Sequence, residues 1–111
     1  MYAAVLELKS WMGKRTYFFD GETPSDIISK FQQEQNLECL VRMGSMEEGP
    51  KGRKDLSKIN AFLKKYYSGK LKMKDIKEFS FNLSVGSCRC IDVAEGDEAI
   101  ATLRSAHPEA R

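Results

Sequence analysis

At 111 residues the chain has the length of one small domain. Its 41% apolar and 31% charged residues are those of an ordinary soluble globular protein, and no apolar run approaches the ~20 residues of a membrane span. The net charge of +2 hides a segregation: residues 51–77 hold ten of the eighteen Lys and Arg against two acids, Asp55 and Asp75, a formal +8, while residues 1–50 and 78–111 each carry −3.

Residues 2–11 alternate with the period of a strand. Ala4, Leu6 and Leu8 fall on one face, and Val5, Glu7, Lys9 and Trp11 on the other. A turn over 12–15 with Gly13 inside it, and a β-branched and aromatic run over 16–19, complete a hairpin. Thr23-Pro24-Ser25-Asp26 then reads as a helix start. Threonine caps free N–H groups, proline fits the first turn, and Asp26 complements the positive end of the dipole. Ile27, Ile28 and Phe31 form the buried stripe, and Asn36 can end the helix.

Residues 37–43 alternate again, with Leu37, Cys39, Val41 and Met43 on one face, and are expected as a strand. The glycines and Pro50 of residues 44–52 predict a mobile loop. The second helix is expected over about 55–68, with Asp55 as N-cap and Gly69 as the stop. Leu56, Ile59, Phe62, Leu63, Tyr66 and Tyr67 cover one arc of it; Ser57, Lys58, Ala61, Lys64 and Lys65 cover the other. Residues 71–77 read as a basic connector.

Phe79, Phe81, Leu83 and Val85 alternate with Glu78, Ser80, Asn82 and Ser84, the clearest strand pattern in the chain. Gly86-Ser87 suits a two-residue hairpin turn, which leads into a strand over 88–93 and places Val85 opposite Cys88 and Leu83 opposite Cys90. Gly96-Asp97-Glu98 opens a last helix with Ile100, Leu103 and His107 on one side, closed by Pro108. The expected fold is a single α+β domain over residues 1–111. Its element order is ββαβαββα, with a sheet of about five mainly antiparallel strands and helices on one face.

The basic segment is the candidate site. Lys58, Lys64 and Lys65 share a helix face; Lys51, Arg53 and Lys54 precede it, and Lys70, Lys72 and Lys74 follow. Several cations within reach of successive phosphates are what nucleic-acid binding needs, because released counterions drive the association. With Arg53 its only arginine, the patch suits backbone contact better than bidentate base readout. Lys-rich helix faces also arise as plain solvated surface. Tyr66 and Tyr67 could stack on bases, but their place on the apolar arc predicts core packing with the hydroxyls at the surface. Trp11 and Tyr17 read the same way.

Other chemistries fare worse. A zinc site of three cysteines and one histidine would have to gather Cys39, Cys88, Cys90 and His107 without a Cys-x-x-Cys knuckle, so small buried thiols are the better account and no metal or cofactor is expected. The odd count of cysteines at no framework spacing, and an N-terminus lacking the basic start of a signal peptide, point to a cytoplasmic protein with reduced thiols. No serine-nucleophile elbow, phosphate-binding glycine loop or dinucleotide fingerprint is present. The leading expectation is therefore a small non-enzymatic protein that contacts nucleic acid, DNA or RNA, through its backbone. A protein–protein adaptor or inhibitor docking the basic helix on an acidic protein is the alternative. A metal-independent ribonuclease using Lys14, Arg15 and Tyr17 is the third.

Overall fold

The structure is a computed structural model that describes residues 1–10, 13–34, 50–83 and 86–111, with side chains for all of these except 10, 34, 50–56, 82, 83 and 86. Strand β1 (Tyr2–Ser10) pairs along its whole length with β2 (Gly13–Gly21) on one side and β4 (Gly86–Glu95) on the other, and β4 pairs with β3 (Ser80–Leu83). All pairings are antiparallel, in the order β2-β1-β4-β3. Helices α1 (Pro24–Glu34), α2 (Pro50–Tyr67), α3 (Met73–Lys77) and α4 (Asp97–Ala106) complete the described elements of this small α+β fold. The strand expected over 37–43 and residues 44–49 of the loop expected over 44–52 lie outside the described residues, while residues 50–52 of that loop are helical.

The larger core fills the sheet face covered by α1, α2 and α3. Ala4 and Leu6 of β1 meet Ile27, Ile28 and Phe31 of α1, and Ile59, Phe62 and Leu63 of α2. The α1 stripe lies where the sequence places it, because its start is local. The Asp26 N–H donates to Thr23 Oγ1 at 3.2 Å and the Thr23 N–H to Asp26 Oδ2 at 3.0 Å, a reciprocal cap. Aromatic rings run through this core. Phe31 meets Tyr17, Phe19 and Phe79 edge-on at centroid distances of 6.1–6.5 Å, and Phe79 in turn touches Phe62 at 5.1 Å and Phe81 at 4.7 Å. Each such pair adds about 0.5–1.5 kcal/mol beyond its buried area.

The expectation of helices on one face is corrected. Helix α4 packs on the opposite face, where Leu103 and Ile100 cover Ala3, Val5, Ala94 and Phe18. Beside it Arg104 sits 4.5 Å above the Phe18 ring. Both faces of β1 are thus buried at Ala3 to Leu6. Small residues at 3, 94 and 110 leave room for a helix with only two large apolar side chains.

A bulge in β4 makes the two cores compatible. Val5 pairs with Asp92 but Leu6 pairs with Cys90, so Ile91 is the extra residue and is exposed. That insertion shifts the alternation by one position. Cys90 and Val93, an odd number apart, therefore both join the three-helix core.

Four further expectations are corrected. Gly13, Lys14 and Arg15 belong to β2, paired with Ser10, Lys9 and Leu8, because the continuous ladder outweighs a weak turn signal. Gly86 belongs to β4 and pairs with Leu83, while Phe81 faces Cys88. The register change is an even one, so Phe79, Phe81 and Cys88 keep their predicted inward face. Helix α2 begins at Pro50, not at Asp55, since proline is tolerated in a first helical turn. The segment over 71–77 is not a plain connector: it contains α3 and buries Leu71 and Ile76.

Candidate nucleic-acid interface

The basic segment folds into α2, the turn after it and α3. Helix α2 ends at Tyr67, and Gly69 stops it as predicted, in a Schellman motif. Gly69 has φ +72, its N–H donates to the Tyr66 carbonyl at 3.2 Å, and the Lys70 N–H donates to the Lys65 carbonyl at 3.0 Å. The motif returns Lys70 to the last turn of α2. Positive charge is favourable there, at the negative end of the helix dipole.

Of the nine predicted site residues, Lys58, Lys64, Lys65, Lys70, Lys72 and Lys74 are exposed. Lys51, Arg53 and Lys54 lie in the first turns of α2, with side chains outside the described ones. The three lysines on the helix do not form one tight row. At 100° per residue Lys58 and Lys65 lie close together, and Lys64 is about 100° further round. Lys58 and Lys65 line a groove with Phe62, Phe81 and the acids Asp75 and Glu78, so that flank has mixed charge.

Asp75 organises this end of the molecule. One carboxylate oxygen accepts from Lys65 Nζ at 2.8 Å and the other from the Lys72 N–H at 2.9 Å. Burial alone would raise its pKa. The hydrogen bonds from Lys65 and Lys72, with their two positive charges, outweigh this and hold the carboxyl below its ordinary range. Lys65 is therefore a fastener between α2 and α3. Lys64, Lys70, Lys72 and Lys74 make no side-chain ion pair within 4 Å with the described residues.

The two tyrosines part company. Tyr66 is half-buried against the core, and its hydroxyl lies 2.7 Å from Ser29 Oγ on α1. Tyr67, expected in the core, is 65% exposed. Its ring leans on Tyr66 with centroids 5.1 Å apart. The sequence carried a hint of this, since Tyr67 sits at the edge of the apolar arc, nearest Lys64.

The other candidates are not assembled. Tyr17 is buried in the three-helix core, and Lys14 and Arg15 occupy adjacent strand positions that face opposite ways, so the ribonuclease trio does not converge. Glu7 is buried on the other face, held by Arg89 Nε at 3.1 Å, with Lys14 Nζ at 3.9 Å. Cys88 and Cys90 line the three-helix core, whereas His107 follows α4 on the opposite side and holds Glu109 at 3.3 Å. Cys39 and Trp11 lie outside the described residues. Burial pushes the Cys90 thiol up to about 12. Among the described residues no three potential metal ligands gather, and no helix is long and apolar enough to cross a membrane. No protein-family model matches the chain, and no curated protein or solved structure does either.

Proposed function

We propose that this domain binds the sugar–phosphate backbone of a nucleic acid through the lysines of α2, its C-terminal turn and α3. The observation that supports this reading is the exposure of Lys64, Lys70, Lys72 and Lys74 around one helix end, while the buried-side acid, Asp75, is occupied by Lys65 and Lys72. Lysine is a compact, strongly hydrated point charge on a flexible stem. Such a set tracks phosphates without reading bases. Four phosphate contacts would give a salt slope of about −3.6 on duplex DNA, from roughly 0.9 per neutralised phosphate.

The test is Lys64→Glu/Lys70→Glu/Lys74→Glu, which spares the Lys65–Asp75 fastener. Fluorescence anisotropy with labelled oligonucleotides at 50 and 200 mM salt should show a large loss of affinity and a slope flatter by about 3. Exposed substitutions of this kind usually change stability by less than about 0.5 kcal/mol each, so the variant should stay folded. A folded variant that binds as well as the wild-type protein refutes the reading. So does a wild-type protein that binds neither DNA nor RNA at low salt, and docking on an acidic protein would then replace it.

A further inference from the structure

We infer that the nucleic acid taken by this surface is single-stranded, with one unpaired base stacked on Tyr67; this rests on the backbone-binding reading above. Tyr67 is the most exposed large apolar side chain among the described residues. An aromatic ring of that size held in water has no packing role on its own side. Yet it is not loose, because its ring packs against Tyr66 with centroids 5.1 Å apart and planes 58° apart, and Tyr66 is tied to α1 through Ser29 at 2.7 Å. The ring is thus a platform supported from one side and largely open to solvent. A tyrosine has two side-chain torsions to immobilise, so presenting it costs little entropy.

Cations stand near the platform at the same end of the helix. Lys64 lies one turn back along α2, and the Schellman turn at Gly69 brings Lys70 back over the helix end. An aromatic ring beside a cluster of lysines is the pairing that single-strand binders use: the ring takes a base face, and the cations take neighbouring phosphates. In a duplex the base faces are covered by neighbouring pairs, so the ring has nothing to stack on. Lysines alone would not discriminate between the two forms; the ring does.

The experiment compares Tyr67→Ala and Tyr67→Phe with the wild-type protein on three labelled probes of one mixed sequence: single-stranded RNA, single-stranded DNA and duplex DNA. Tyr67→Ala should lose about 5- to 150-fold on both single strands, the range of one stacked base, and less than twofold on the duplex. Tyr67→Phe should keep the affinity, since the ring and not the hydroxyl makes the contact. A larger loss on RNA than on DNA would favour RNA as the natural strand while keeping the stacking contact. The inference is overturned if Tyr67→Ala binds single strands as the wild type does, or weakens duplex equally. If Tyr67→Ala is silent while the Lys64/Lys70/Lys74 variant loses binding, stacking fails and backbone binding stands. If the wild-type protein binds no probe, both fail. An unchanged thermal midpoint of Tyr67→Ala separates these results from unfolding.

Discussion

Asp75→Asn separates what holds the basic surface in place from what the surface does. The carboxylate joins α2 to the start of α3 by two bonds, one to an ammonium and one to a backbone N–H. The ammonium partner is half-exposed, so solvent screens that bond to about 0.2–1 kcal/mol. The bond to Lys72 N–H is a cap-like contact at the start of α3, and losing such a contact costs about 0.5–2 kcal/mol. An asparagine keeps one acceptor and turns an NH2 group toward the other donor. The expected loss is about 1–2 kcal/mol, or roughly 4–8 °C in thermal midpoint for a domain of this size. The sign with pH follows from the lowered carboxyl. Its stabilisation is present above the ordinary value of 3.8 and disappears as pH falls through the lower folded value. The gap between wild type and variant should therefore be full at pH 7 and narrow as pH falls below 3.8. Urea melts of both proteins across that range measure it, and titration of the other carboxylates cancels in the difference. A gap that stays constant down to pH 2, or no gap at pH 7, refutes this account of Asp75. Releasing Lys65 should at the same time leave nucleic-acid affinity equal or higher, the opposite of what a damaged site would show.

Further outcomes test the fold beneath the site. Phe79→Ala removes the ring that joins Phe31, Phe62 and Phe81 and should cost about 3–5 kcal/mol in a denaturant melt. Gly21→Ala would place a Cβ 2.5 Å from Asp26 Cβ, behind the cap of α1, and should destabilise by about 1–3 kcal/mol; a neutral melt would show that the β2–α1 corner yields easily. Native Cys90, pushed from 9.0 to about 12, should hold about a thousandth of the thiolate of an ordinary cysteine near neutral pH. Peptide-resolved alkylation at pH 8 should find it correspondingly slow until the protein is unfolded. Because its folded pKa is raised, its share of the stability is present below about pH 9 and drains away between about 9 and 12.

Several elements are written in local chemistry. The Thr23–Asp26 cap, the Ile27, Ile28 and Phe31 stripe, the stop at Gly69 and the inward Phe79 and Phe81 each depend on residues within a turn or a strand period of one another. The sequence alone therefore determined the existence of most elements, their inward faces and the concentration of charge over residues 51–77. It did not determine how they meet. Strand alternation is unchanged by an even shift, so Phe81 opposite Cys88 and Val85 opposite Cys88 read alike until the ladder selects one. The Ile91 bulge has no mark in composition; it exists because one strand must serve two cores. Glu7 and Lys9 made the second face of β1 look solvated, which concealed the α4 packing on Ala3 and Val5. At the candidate site, charge was visible in the sequence but availability was not. Lys65 is held by Asp75, ten residues away, and Tyr67 stands in water because Tyr66 reaches Ser29, thirty-seven residues away. Both outcomes depend on the tertiary approach of α1, α2 and α3, and no periodicity within one helix encodes it.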